Sequence, residues 1–285
     1  MANTTITTVD SPDSTPIAKV ASINKIIYLK ETSDKPKKPI NLKSKYVCPY
    51  CKTELAKTES YLYHIKNNCV AQQTRVADIS YQTDYEISPI PLEMHNIIFV
   101  SGPPRSGKTY WVNMYATAYK KIFERDIFYF TRNKSDDSLN EKVYTKILTS
   151  EIERPIQMDD IENSLCIFDD IEDSQHPLVT KYLYTLLDDI TKNGRHAGKA
   201  GISVIFCNQE TTMYRRTKTI LSQMTEFVFF PNYTSKHSAT YVLEQYLGLD
   251  QQAISYIYTL PSRWVSVRRI APQYIISQHN IFLVQ

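Results

Sequence analysis

The chain has 285 residues, 42% of them hydrophobic and 22% charged, with a formal net charge of +3. This is enough for one α/β domain of about 200 residues plus a small module. No apolar run approaches the ~18 residues of a membrane span, and the polar N-terminus is not a signal peptide, so the reading is a soluble, intracellular protein without membrane insertion.

Residues 1–44 are rich in Thr, Ser, Asp, Pro and Lys, with one apolar patch at Ile23–Leu29. They read as a disordered basic segment. Residues 1–70 carry eleven lysines against six acids, a net of +5, which leaves −2 for the rest of the chain. This uneven charge points to a polyanionic partner.

Residues 45–70 form a compact module. Cys48 and Cys51, then twelve residues, His64, four residues and Cys69 give C-x2-C-x12-H-x4-C. Two ligands on a hairpin knuckle and two on a helix converge on tetrahedral Zn²⁺, the spacing of a ββα zinc finger with its last histidine replaced by cysteine. Tyr46, Leu55 and Tyr61 fill its apolar positions. So short a segment has too little core to fold without metal. Lys52, Lys57 and Lys66 with Tyr50, Tyr61 and Tyr63 suit nucleic acid, whereas Glu54 and Glu59 leave a protein target open. Of five cysteines, the other two, Cys166 and Cys207, fall in apolar strands and read as small buried hydrophobes. Residues 71–91 read as a linker ending in Pro89 and Pro91.

From residue 92 to 285 apolar strands alternate with amphipathic helices, the pattern of a mainly parallel sheet covered on both faces. Strands are predicted at 96–101, 126–131, 164–169, 202–207 and 226–230, with a further pair near 264–270 and 273–284. Helices are predicted over 109–123 and 177–192, the second with Val179, Tyr182, Leu183, Leu186, Leu187 and Ile190 at core-facing spacing.

Between the first strand and the first helix, residues 102–109 read Gly102, Pro103, Pro104, Arg105, Ser106, Gly107, Lys108 and Thr109, a complete G-x-x-x-x-G-K-S/T phosphate-binding loop. Backbone N–H groups of such a loop and the helix N-terminus face the phosphates. Lys108 would neutralise β- and γ-phosphate charge, and the Thr109 hydroxyl would ligate Mg²⁺. Only six glycines occur; two lie here, and Gly194, Gly198 and Gly201 form a second cluster, a candidate functional loop.

Leu165–Asp170 is an apolar strand ending in two carboxylates, a Walker B arrangement. Asp169 would hold Mg²⁺ through water beside Thr109, and Asp170 would orient the attacking water as general base. Asn133–Asp136 matches the N-K-x-D guanine motif, but it precedes Walker B and no D-x-x-G element follows; it reads as a chance match. The strand ending Asn208-Gln209 places Gln209 to read the γ-phosphate or the attacking water, or to close the strand by hydrogen bonding. Arg195, on the second glycine loop, is placed to enter a neighbouring subunit's site.

Phe168-Asp-Asp-Ile171, Asn193-Gly-Arg-His196 and Cys207-Asn-Gln209 together resemble the genome-packaging ATPases of poxviruses and other large DNA viruses, a branch of the FtsK–HerA superfamily. The resemblance covers about residues 92–235. It implies an α/β P-loop NTPase of RecA-like type, here preceded by the zinc finger and the disordered N-terminus. It also implies a ring homo-oligomer, hexamer or pentamer, that drives double-stranded DNA using ATP and Mg²⁺. Capsid or membrane-associated virion proteins are the further partners, and the host cytoplasm (a virus factory) or the virion is the setting. By the same resemblance Lys108, Thr109, Asp169, Asp170 and Gln209 take nucleotide and sensor roles, and Arg195 becomes a candidate arginine finger. Arg105, which replaces a small loop residue, is the competing arginine, acting in cis. Tyr214-Arg215-Arg216 is a candidate DNA contact or a solvated basic turn. Two other readings are a P-loop small-molecule kinase, against which the absence of an arginine-rich lid counts, and a zinc-finger nucleic-acid-binding protein with a nucleotide switch.

Overall fold

The computed structural model describes residues 3–11, 14–20, 22–32, 46–47, 54–55, 79–92, 95–134, 143–172, 175–212 and 217–284. The strands are β1 (Asn3–Thr7), β2 (Ser14–Val20), β3 (Lys25–Thr32), β4 (Tyr46–Val47), β5 (Glu54–Leu55), β6 (Ile79–Gln82), β7 (Ile87–Pro89), β8 (Ile97–Ser101), β9 (Ile127–Thr131), β10 (Thr145–Leu148), β11 (Leu165–Asp169), β12 (Ser203–Asn208), β13 (Glu226–Phe229), β14 (Val265–Arg268), β15 (Tyr274–Ser277) and β16 (Asn280–Leu283). Among the described residues the α-helices are α1 (Lys108–Phe123), α2 (Pro177–Asn193), α3 (Lys218–Gln223), α4 (Lys236–Gln245) and α5 (Gln251–Ile257).

The near-continuous apolar runs of β8, β11 and β12 are what a strand buried on both faces requires, and all three are buried along their length, Asn208 at the end of β12 excepted. They belong to a ten-stranded sheet in the order β10-β9-β11-β12-β8-β13-β14-β15-β16-β6. From β10 to β13 neighbours run parallel; from β13 to β6 they run antiparallel. Side chains alternate across it. Ile97 and Phe99 of β8 join a core with Phe168, Phe206, Phe227 and residues of α2 to α5, whereas Ile98 and Val100 face α1. The spacing predicted for α2 holds: Leu183, Leu186, Leu187 and Ile190 are buried, and Val179 and Tyr182 are half-buried against the same core.

Three expectations are corrected. The N-terminal residues read as disordered contain β1, β2 and β3, which with β7 make a four-stranded antiparallel sheet. Its Ile17, Ala18, Val20, Ile27 and Leu29 join the core on the α1 face of the large sheet. At roughly 1.5–3 kcal/mol for each large side chain buried, this cover offsets the ordering of an otherwise polar segment. The stretch read as a linker holds β6, an edge of the large sheet, and β7, an edge of the small one. The single strand predicted over 273–284 is a hairpin, β15 and β16.

Cys48, Cys51, His64 and Cys69 lie outside the described residues. On either side of the two cysteines β4 pairs antiparallel with β5, Tyr46 opposite Leu55. Among the described residues no cluster of three or more metal-binding side chains occurs. Tyr214, Arg215 and Arg216 are likewise outside them.

Candidate functional site

β8 turns into α1 through residues 102–107, and two features fix that turn. Arg105 and Gly107 take left-handed backbone angles, φ 67° and 114°, so the chain reverses before the helix begins at Lys108. A Cβ at Gly102 would lie 2.6 Å from the Phe230 ring and 2.7 Å from Ser106 Oγ, which only glycine avoids. The Gly102 amide donates to the Asn208 carbonyl at 3.1 Å, joining the loop to the end of β12. Ser101 and Thr211 hydroxyls meet at 2.8 Å on the same rim. The Lys108 ammonium lies inside the turn, donating to the carbonyls of Gly102 at 2.7 Å and Pro103 at 3.3 Å. Thr109 follows, half-buried in the first turn of α1.

β12 lies between β8 and β11. The carboxyl ends of these three parallel strands therefore bring the loop, Gln209 and Asp169–Asp170 to one edge. Asp169 is buried, and its Oδ2 accepts from the Tyr129 hydroxyl at 2.5 Å. Asp170 takes a left-handed conformation, φ 49°, which Asp and Asn tolerate better than longer side chains. That favours a short acid at this position. Its carboxylate accepts from Gln209 Nε2 at 3.3 Å and from Asn133 Nδ2 at 3.4 Å. A cavity of about 260 Å³ opens beside it, lined among others by Arg132, Asp170, Tyr184, Gln209 and Glu210. Cys207, just under this edge, is buried, and desolvation pushes its thiol well above the ordinary range. Burial pushes Cys166 up to about 12. Both are inert apolar fillers, as their strands implied.

Arg195 lies elsewhere. Its loop precedes β12, so it sits at the amino end of the strands. Gly194 marks the spot: a Cβ there would lie 2.9 Å from His95, which stands just before β8. The five residues of β8 separate this end from the phosphate loop by roughly 17 Å at about 3.3 Å per residue. The loop is tightly made. Gly194 O accepts from Ala197 and Ile202 amides, and Asn163 Oδ1 accepts from the Ala200 amide at 2.7 Å. Arg195 is exposed on it, its Nε 2.9 Å from His196 Nε2.

Four polar side chains at this sheet edge carried no readable signal. Tyr129 sits in an aromatic strand, and Asn133 belongs to the motif read as a chance match. Arg132, beside Asp170, donates to the Glu172 carbonyl at 3.0 Å. Arg263, from the turn before β14, donates from Nε to the Ser106 carbonyl at 2.8 Å and from Nη2 to the Arg105 carbonyl at 3.3 Å. They come together through strand order, which local sequence does not encode.

No protein-family model matches the chain. It is 28% identical over 197 residues to Uncharacterized protein V3 of Sputnik virophage, covering 67% of this chain and 79% of that protein. Among solved structures it is similar to the genome packaging NTPase B204 from Sulfolobus turreted icosahedral virus 2 in complex with ATP-gammaS, at 15% identity and a TM-score of 0.44, over 65% of this chain and 96% of that one. It is also similar to the pCW3 conjugation coupling protein TcpA with ATPgS, at 13% identity and a TM-score of 0.45, over 95% of this chain and 77% of that one. No helix among the described residues is long and apolar enough to cross a membrane.

Proposed function

We propose that the chain is an ATP-hydrolysing motor that moves double-stranded DNA, packaging a viral genome into a capsid. The observation that carries hydrolysis is the Asp170 carboxylate, held by Gln209 and Asn133 on the same sheet edge as the phosphate-binding loop. The triphosphate would lie along residues 102–109 with Lys108 against its β- and γ-phosphates. Asp170 accepts a proton from the attacking water, whose oxygen bonds to the γ-phosphorus as the bond to the β,γ-bridging oxygen breaks, leaving ADP and phosphate. Gln209 orients that water and the carboxylate together. Thr109 and Asp169 offer the oxygen donors that Mg²⁺ takes, and the ion supplies charge compensation for the phosphate oxygens.

Arg195 is assigned as an arginine finger in trans, since it and the phosphate loop stand at opposite ends of the sheet. A ring of copies would supply it. The DNA and packaging parts of the reading rest on the three motif segments and the basic N-terminal charge; the virophage relative supports a viral origin. Cys48, Cys51, His64 and Cys69 are assigned one zinc, which elemental analysis of protein purified without chelator tests.

ATP turnover with and without long duplex DNA, alongside a native-mass measurement, tests the motor. Stimulation by DNA in an oligomer is the expected result. Turnover indifferent to DNA in a monomer would sink it, and phosphoryl transfer to a small molecule would establish the kinase reading instead.

A further inference from the structure

The phosphate-binding loop is gripped from outside as well as from within. Arg263 donates to two successive loop carbonyls, Ser106 at 2.8 Å and Arg105 at 3.3 Å. In a trans peptide the carbonyl and the following N–H point in opposite directions. Turning these two carbonyls toward Arg263 therefore turns the amides of Ser106 and Gly107 to the other side, into the loop. The Ser106 amide does donate inward, to Pro103 O at 3.2 Å. Gly107 is the point of closest approach: a Cβ there would lie 2.9 Å from Arg263 Nε.

The backbone that carries the guanidinium is itself held. Trp264, next in sequence, is fully buried and meets Trp111 of α1 edge to face at 6.4 Å. Ser262, on its other side, is buried and bonds the Trp264 carbonyl at 2.5 Å. The Arg263 amide donates to Gln278 Oε1 at 2.6 Å, and Gln278 Nε2 donates to Glu86 at 3.3 Å. Glu86 in turn accepts from the Tyr110 hydroxyl at 2.6 Å. This hydrogen bond comes first among the causes that push the Tyr110 hydroxyl up to about 12, so it stays a donor throughout the neutral range. The circuit thus leaves the loop at Ser106 and returns to the first turn of α1 at Tyr110.

We propose that Arg263 is a positioning residue for the phosphate-binding loop, holding the Arg105 and Ser106 peptides so that the following amides face the phosphates, without touching the reacting atoms. The proposal rests on the nucleotide site argued above. Because a preset loop serves substrate and product alike, Arg263 acts on binding and not on the chemical step. Two of its five N–H donors, one on Nε and one on Nη2, are spent on loop carbonyls, and the split between kcat and ADP affinity separates this role from a finger aimed at the γ-phosphate. Lysine, with one compact head, would serve one carbonyl well and the other poorly.

The test uses full-length protein with Arg263→Ala, Arg263→Gln and Arg263→Lys. Dissociation constants for ADP, a non-hydrolysable ATP analogue and inorganic tripolyphosphate are measured beside kcat, KM and the melting temperature. Arg263→Ala should weaken all three ligands by a common factor of roughly 10- to 100-fold. KM should rise in step while kcat stays within about 3-fold, and Arg263→Lys should recover part of the affinity. Unchanged affinities overturn the proposal. So does a collapse of kcat with ADP binding intact, which would put the guanidinium on the γ-phosphate, or a loss that spares tripolyphosphate, which would put it on the nucleoside. If the alanine variant does not fold, the glutamine and lysine variants are read by the same criteria. Wild-type protein that binds none of the ligands removes the nucleotide site itself, a failure distinct from intact binding insensitive to Arg263.

Discussion

The two ends of the parallel strands do different work. At the carboxyl ends of β8, β11 and β12 the backbone takes left-handed turns at Arg105, Gly107 and Asp170, and polar side chains converge beside a cavity. At the amino ends Gly194, Gly198 and Gly201 pack into a closed turn; a Cβ on Gly198 would lie 2.3 Å from Asn163 Nδ2. One end is open and polar, the other a closed turn that leaves Arg195 exposed. Since the strands are roughly 17 Å long, the arginine of one end stands far from its own phosphate loop, which is the ground for the proposed role in trans.

The largest effect should fall on the carboxyl end. Lys108→Ala removes the charge facing the phosphates, and turnover should drop roughly 10³-fold or more. Asp170→Asn is the sharper probe. Asparagine tolerates the left-handed angle and keeps the shape but not the base, so ATP binding should survive while hydrolysis stops. Near-normal turnover in this variant would take Asp170 out of the mechanism.

The amino end should come next, and there the comparison can be broken outright. Arg195→Ala should cost roughly 10³–10⁵ in rate, the worth of an arginine finger. Arg195→Ala subunits keep an intact phosphate loop, and Lys108→Ala subunits keep an intact finger. Mixed in one oligomer, the two inactive variants should recover DNA-stimulated hydrolysis. Mixed rings that form and stay dead would show that the two ends do not meet across a boundary, leaving Arg105 or Arg132 as the arginine.

This division also governs what could be read in the sequence. Lys108, Thr109, Asp169, Asp170 and Gln209 each sit in a short motif, because the proposed chemistry needs them beside a strand end. Tyr129, Asn133 and Arg263 reach the same edge only through strand order. Asn133 carried no such signal: its guanine-motif match reads as chance, and it meets Asp170 only because it follows β9. The β1–β3 sheet was missed because average polarity hides Ile17, Val20, Ile27 and Leu29, which pay for their ordering only once a partner face exists. The hairpin of β15 and β16 turns at Gln278-His279, without the glycine or proline that announces a turn.

Gln209→Ala should cost about 10²-fold in kcat, as a base whose water is no longer oriented loses part of its advantage. Asn133→Ala should cost less, about 10-fold, its contact being longer and exposed. Neither change should add to Asp170→Asn, since groups acting through one carboxylate are not additive. Full additivity in the double variants would mean that Gln209 and Asn133 act on something other than Asp170.

The smallest effect concerns the buried partner of Asp169. The Tyr129 ring packs against Tyr144 with centroids 5.3 Å apart, and the Tyr144 hydroxyl bonds Asn113 of α1. Tyr129→Phe keeps that packing and removes only the hydroxyl that holds Asp169 Oδ2. The carboxylate stays at the strand end but loses the hydroxyl contact to its Oδ2. Partners of this kind are worth about 10- to 100-fold in metal affinity, and an intact strand argues for the lower figure. Half-saturating Mg²⁺ for turnover should therefore rise about 10-fold, while kcat at saturating Mg²⁺ and the affinity for metal-free ADP stay near wild type. An unchanged Mg²⁺ requirement would mean that Asp169 does not carry the ion, and that the hydrogen bond serves the core beneath the site instead.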